Sequence, residues 1–206
     1  MRLDLGLIAE MVPTGARVLD LGCGDGDLLS ALIRERGCQG QGVEVSSDAF
    51  HACVAKGIPV IAADIDDGLT DFTDNSFDVV VLSQTLQATR RPARVLHEMM
   101  RVADTAIVSF INYGHIGLRT RLALRGRMPV SPLAPEQWFA TPNIHPCSIL
   151  DFEQLVHSEG LVCAERHVLG ADGGPGGRWA QRRPNAFAAA AAYVVHHSDR
   201  VRTGPR

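Results

Sequence analysis

Between residues 17 and 110, short apolar runs alternate with stretches whose apolar positions recur every three or four residues. Residues 17–21 (RVLDL) form a compact apolar run that ends in glycines. Leu28, Leu29, Leu32 and Ile33 follow at helical spacing up to Gly37. Residues 41–45 predict a second strand. Ser46 and Ser47 then suit the start of a helix that Gly57 and Pro59 end. Residues 60–62 predict a third strand and 77–82 a fourth, whose unbroken apolar run suits burial on both faces. A helix is expected over 92–101, with Pro92 in its first turn, and a fifth strand over 105–110. This alternation predicts an α/β fold, a doubly wound and mostly parallel sheet with helices on both faces.

The pattern changes at residue 111. Residues 111–147 are rich in proline and glycine, with one short amphipathic helix suggested by Leu118, Leu122 and Leu124 among arginines. Regularity returns at Ser148, which can cap a helix through Phe152, Leu155 and Val156 that ends at Gly160. Residues 161–169 alternate like a strand, and 170–184 read as a flexible glycine-rich loop. Residues 186–195 predict a final strand, with helix as the competitor because of the alanine run. Residues 1–197 are thus expected to form a single domain with 111–147 as an insertion or lid, and 198–206 a disordered tail.

Composition narrows the class. The formal net charge of −3 makes no general case for nucleic acid or an anionic membrane. No apolar run is long enough for a helical membrane span. Asp4 falls where a signal peptide's apolar core would begin. The five cysteines include no CxxC pair and no cysteine–histidine ladder of zinc spacing, so no metal is expected. They read as reduced thiols of a cytoplasmic protein.

The glycine-rich segment Asp20-Leu21-Gly22-Cys23-Gly24-Asp25-Gly26-Asp27 follows the first strand and opens a helix. Glycines there let a ligand approach the backbone, beside the free amides of a helix N-terminus. That geometry suits a nucleotide-like ligand at the first crossover of a doubly wound sheet. A dinucleotide fingerprint needs glycine or alanine at position 27, where Asp27 stands. Asp20, Asp25 and Asp27 would also repel a pyrophosphate, which disfavours a nicotinamide oxidoreductase. S-adenosylmethionine, cationic and free of phosphate, fits better. Glu44 lies about twenty residues past the glycines, placed for two ribose hydroxyls. Asp64 follows the third strand, where it can accept an adenine amino hydrogen. The expected cofactor contacts are Asp20, Gly22, Cys23, Gly24, Gly26, Glu44, Val45, Asp64, Ile65, Ser83 and Gln84. Cys23 reads as a small loop filler rather than an activated thiol.

Loop, Glu44 and Asp64 in this order resemble the class I S-adenosylmethionine-dependent methyltransferases. That resemblance implies a Rossmann-like, seven-stranded sheet with an antiparallel last strand. Further segments narrow it: residues 81–88 (VLSQTLQA), 125–130 (RGRMPV), 141–145 (TPNIH), the start MRLD and the loop DLGCGDG. Together they resemble the bacterial methionine-biosynthesis family MetW over roughly residues 1–170. The resemblance implies a protein that works with homoserine O-acyltransferase. Ile111, Ile116 and Ala140 stand where that family usually has proline, tryptophan and an acid.

Methyl transfer from a sulfonium depends on in-line placement, and an oxygen or nitrogen acceptor usually also needs a base. The site is expected above the fourth and fifth strands, near Ser83, Gln84, Thr85 and Asn112. His115 and His145 are the candidate bases, with a structural hydrogen-bonding role as the alternative for each. Tyr113 suits packing. Trp138 and Phe139 suit a pocket, the core or a partner contact. Asp64, Asp66, Asp67, Asp71, Asp74 and Asp78 lack the glycine and glutamate of a calcium loop and, Asp64 excepted, read as a solvated acidic rim. Between Thr105 and Pro135 there is no acid, so Arg119, Arg125, Arg127 and Trp138 are the expected partner-binding residues. Two functions stand side by side: a SAM-binding accessory subunit of homoserine O-acyltransferase, and a small-molecule methyltransferase.

Overall fold

A computed structural model of the chain describes residues 3–131 and 133–198. Its seven strands are β1 (Arg17–Leu21), β2 (Gln39–Glu44), β3 (Val60–Ala62), β4 (Phe77–Ser83), β5 (Ala103–Ile111), β6 (Leu161–Leu169) and β7 (Ala190–His197). They form one sheet in the order β3-β2-β1-β4-β5-β7-β6. All pairings are parallel except those of β7 with β5 and β6. The strand order reverses between β1 and β4, which makes the crevice at their C-terminal ends the natural place for a ligand.

Strand alternation builds two cores. In β4, Val79 and Val81 point to one face and Val80 and Leu82 to the other, and all four are buried. On the first face α1 (Leu3–Met11), α2 (Asp27–Arg36) and α3 (Ser47–Ala55) contribute Leu5, Ile8, Leu28, Leu29, Leu32 and Cys53. On the other, α4 (Pro92–Val102) and α6 (Ile149–Ser158) contribute Val95, Leu96, Met99, Phe152 and Val156. Coverage on both faces is the physical reason for the unbroken apolar run of β4.

The helix boundaries follow local chemistry. Gly26 and Gly37, both left-handed, bracket α2. Pro92 sits in the first turn of α4. Ser148 and Asp151 form a reciprocal capping box at the start of α6. The expected amphipathic helix is α5 (Ile116–Arg125), capped by His115 and ended by Gly126.

The C-terminal third departs from expectation in two places. The glycine-rich segment 170–184 contains a short helix, α7 (Arg178–Arg182), where a flexible loop is expected. Ala180 is buried against the core, and tertiary contact of that kind stabilises a helix too short to persist alone. Pro184 then starts α8 (Pro184–Phe187), so the final strand begins at Ala190 rather than 186. The alanine run is strand, not helix, because β7 hydrogen-bonds on both sides, to β5 and β6. Its small side chains leave room for Phe110, Phe152 and Tyr193, which pack with ring centroids 4.6–6.0 Å apart. Residues 199–206 of the expected tail lie outside the described residues. Among the described residues, no helix is long and apolar enough to cross a membrane.

Candidate functional site

β1 runs into the glycine turn, and the turn is tied to β2. The Gly22 and Cys23 amides donate to the Val43 carbonyl at 2.8 and 3.2 Å. The Glu44 carboxylate accepts the Gly24 amide at 2.8 Å through Oε2 and the Ser46 amide at 2.8 Å through Oε1. Glu44 is buried but for an edge. Each of its oxygens keeps a lone pair for a further donor. Two glycines need their identity for different reasons. At Gly22 (φ 67°) an added Cβ would fall 2.7 Å from the Thr85 side chain, so the turn packs directly against the end of β4. At Gly24 (φ 59°) a Cβ would meet nothing within 4 Å, which leaves the backbone open to an incoming group.

Beside this turn lies a cleft of ≈ 270 Å³, lined by Gly22, Val43, Glu44, Val45, Ala63, Asp64, Ile65, Asp66, Gln84, Thr85, Ala88, Thr89 and Pro142. Glu44, Asp64 and Asp66 bring carboxylates from the ends of β2 and β3, and Val45, Ala63 and Ile65 give apolar walls. Near β4 the walls are neutral amide and hydroxyl groups. No lysine, arginine or histidine is among the lining residues.

Asp64 is held in place. Its Oδ1 accepts the Asp66 amide at 2.9 Å and its Oδ2 the Arg90 guanidinium at 2.7 Å. Asp66 accepts the backbone amides of Arg90 and Arg91 and the Arg90 Nε. Burial alone would raise its pKa, but these hydrogen bonds and the Arg90 charge hold it below the usual carboxylate value. The acidic run is thus not merely a solvated rim. Asp74 and Asp78 also pair, with Arg101 at 2.8 Å and Arg17 at 2.7 Å.

Gly22, Glu44, Val45, Asp64, Ile65 and Gln84 come together around the cleft. Asp20, Cys23, Gly24, Gly26 and Ser83 are not among its lining residues. Asp20 is buried beneath the turn. The Cys23 sulfur lies 3.8 Å from that of Cys53, and burial and then Asp20 push its thiol pKa far up. That suits a filler, not a nucleophile. Gly24 reaches the site through Glu44, and Gly26 caps α2. Ser83 Oγ lies 3.3 Å from Ser109 Oγ, and Gln84, at φ 54°, donates its amide to the Ser109 carbonyl. Asp25 and Asp27 both bind Lys56, at 2.9 and 2.7 Å, and Asp64 and Asp66 share Arg90, so Glu44, which accepts only backbone amides, is the cleft carboxylate without a cation beside it among the described residues.

Neither histidine lines the cleft. His115 Nδ1 accepts the Gly117 amide at 3.0 Å as the cap of α5, and burial lowers its pKa. His145 borders a separate, mostly apolar cavity of ≈ 300 Å³ with Cys147 and Phe152. Asn112 is fully buried and spends its side chain on Ala188, Asn185 and Gly114. Arg119, Arg125, Arg127 and Trp138 are exposed, and Trp138 packs edge-on against Phe139.

The sequence reading missed Asp66, Thr89 and Pro142 as cleft residues, and Arg90 as the partner of Asp64. A carboxylate two residues after Asp64 and the Arg90-Arg91 pair were the available signals. Gln87 was also missed. Its side-chain amide exchanges hydrogen bonds of 3.0 Å with the Ile111 backbone in both directions, and its backbone carbonyl accepts the Ile144 and His145 amides. Gln87 therefore fixes the segment that brings Pro142 to the cleft.

Comparison with known proteins agrees with this architecture. A crystal structure of an S-adenosylmethionine-dependent methyltransferase from Mesorhizobium loti is similar at TM-score 0.70 and 17% identity, over 95% of this chain and 98% of that one. One from Thermotoga maritima is similar at TM-score 0.66 and 17% identity, over 95% and 88%. At such identities the likeness shows the fold alone, that of class I methyltransferases. A protein of Rhodopirellula baltica named bifunctional methionine biosynthesis protein MetXA/MetW is 36% identical over 183 residues, 84% of this chain. This chain spans 29% of that relative's length. The family model described as methionine biosynthesis protein MetW matches residues 2–195, nearly the whole chain. On these matches the chain belongs to the MetW family of methionine biosynthesis proteins, built on a class I methyltransferase fold.

Proposed function

We propose that the chain is a cytoplasmic S-adenosylmethionine-binding accessory subunit of homoserine O-acyltransferase. The observation that carries the ligand half is the cleft's polarity: three carboxylates, neutral amides and hydroxyls, and no cationic side chain. A phosphate-bearing dinucleotide would meet the Glu44 carboxylate, whose bonds are to backbone amides, while Arg90 is already spent on Asp64 and Asp66. A ligand with an ammonium, a sulfonium and two ribose hydroxyls has matching chemistry, and the open face of Gly24 admits it. Glu44 would hold the ribose hydroxyls, Asp64 the adenine amino group, and Val45 and Ile65 the ring faces. The bound cofactor carries an activated methyl group.

The accessory role is supported by the family and by a relative whose name joins MetXA and MetW in one chain. The titratable groups lining the cleft are three carboxylates, which the cofactor reading commits to the ribose, the adenine and Arg90 rather than to a methyl acceptor. Arg119, Arg125, Arg127 and Trp138, exposed in the 111–147 segment, would meet the acyltransferase. Calorimetric titration tests the ligand half. The expected result is binding of S-adenosylmethionine or S-adenosylhomocysteine and none of NAD. Binding of NAD alone would overturn it.

A further inference from the structure

Two stretches of the chain contain arginines and no acids. Residues 105–135 carry Arg119, Arg121, Arg125 and Arg127, and residues 173–198 carry Arg178, Arg182 and Arg183. Far apart in sequence, they meet where β5 ends and β7 begins. The junction is Asn112, whose Nδ2 donates to the carbonyls of Ala188 at 2.7 Å and Asn185 at 3.1 Å. Its Oδ1 accepts the Gly114 amide at 2.9 Å, which fixes the chain leading into α5. A cavity of ≈ 220 Å³ borders both stretches, with Leu118 and Arg121 from α5 and Ala189 from the segment before β7.

All seven arginines are exposed, and among the described residues none forms an ion pair. Elsewhere Arg17, Arg90, Arg101 and Arg166 each pair with a carboxylate, while Arg34, Arg91 and Arg94 are exposed and form no ion pair among the described residues. Each stretch is accompanied by exposed aromatic rings. Trp138 packs edge-on against Phe139 at 5.7 Å, and Trp179 lies 6.0 Å from Phe187. Trp138 and Trp179 are 72% and 67% exposed, an unusual state for large rings in a chain with two tryptophans.

We propose that α5 and α7–α8 form one composite docking surface whose occupant is an acidic face of the acyltransferase subunit. The proposal rests on the accessory reading above and adds the second stretch, 178–187, to the interface. Arginine and tryptophan are the residue types that anchor protein interfaces, and unpaired cations call for a complementary carboxylate surface. A nucleic-acid occupant is disfavoured because the remainder of the chain makes the molecule net negative.

The test is the affinity of the acyltransferase for the wild-type chain, for the triple variant R178E/R182E/R183E, and for R34E at the far end of α2. A single-stranded RNA oligomer serves as a second probe, and S-adenosylmethionine affinity and thermal melting report the integrity of the fold. The triple variant should bind the acyltransferase about tenfold or more weakly. R34E should bind like wild type, and both variants should keep their melting temperature and ligand affinity. Wild-type affinity should also fall as salt is raised. Unchanged acyltransferase binding by the triple variant would overturn the composite surface and leave the accessory reading standing, as would a loss confined to RNA binding. A wild-type chain that does not bind the acyltransferase would overturn both.

Discussion

The Glu44 carboxylate accepts the Gly24 amide at 2.8 Å, and this contact ties the glycine turn to the end of β2 at the edge of the cleft. The same carboxylate takes the Ser46 amide, so one side chain fixes the glycine turn and the start of α3 together. Replacing Glu44 with alanine removes both bonds and the proposed ribose contact. Calorimetry should show S-adenosylmethionine affinity weaker by about 1–3 kcal/mol, the scale for hydrogen bonds to a charged group. Unchanged affinity would remove Glu44 from the site.

The two glycines of the turn should respond differently to alanine. Both sit at positive φ and pay for that, but only Gly22 places a Cβ against Thr85, at 2.7 Å. G22A should therefore lower stability by about 1–3 kcal/mol, the scale for overpacking. G24A should cost less stability and more ligand affinity, because its methyl group projects into open space. Paired urea unfolding and ligand titration separate the two effects. Equal stability losses would contradict the packing argument.

Gln87 should matter for folding rather than chemistry. It is buried, and its amide satisfies both the amide and the carbonyl of Ile111. Q87A leaves two buried backbone groups unpaired, at about 1–3 kcal/mol each before any relaxation. The variant should unfold at lower urea. Hydrogen exchange should rise more at the Ile111 amide than at the Ile144 and His145 amides, which bond to the Gln87 backbone carbonyl that the variant keeps.

His115 gives a pH signature. Its folded pKa is lowered by burial, and its Nδ1 must be unprotonated to accept the Gly117 amide. The neutral form is favoured in the folded state, so its contribution is full above pH 6.5. It is lost as pH falls below 6.5 towards the folded pKa. His115→Asn keeps a capping side chain without titrating there. Melting temperature against pH should lose this limb in the variant and keep it in wild type.

At lower pH a second group of residues takes over. Asp78 is held below 3.8 by hydrogen bonds from Arg17, and Glu98 below 4.5 by Arg101. Depressed carboxylates stabilise the fold above their unfolded pKa values, and that stability is lost as pH falls through the folded ones. Glu98→Gln should flatten the acid limb of the melting curve below pH 4.5. An identical acid limb would show that the Glu98–Arg101 pair does not contribute.

Much of the parallel half was legible because each β-strand and helix there announces its own periodicity. The run through Val79 and Val80 shows burial on two faces, and the spacing from Leu28 to Ile33 shows one helical face. Helix α1 was not foreseen, although Leu5, Ile8 and Val12 are buried at helical spacing. Helix α7 was hidden by the glycines around it, since its support is the tertiary burial of Ala180. In the site, Glu44 and Asp64 were legible from their places after β2 and β3. Arg90 and Gln87 were not, because their partners lie 24 or more residues away and pattern carries no such information. The second basic stretch escaped for the same reason: only the fold brings Asn185 and Ala188 to Asn112, ahead of α5.

The most direct test of the central claim is the acyl-transfer rate of homoserine O-acyltransferase titrated with this chain in the presence of S-adenosylmethionine. The accessory reading predicts a rate that rises and saturates as the chain is added. A rate that stays flat across the titration would contradict it.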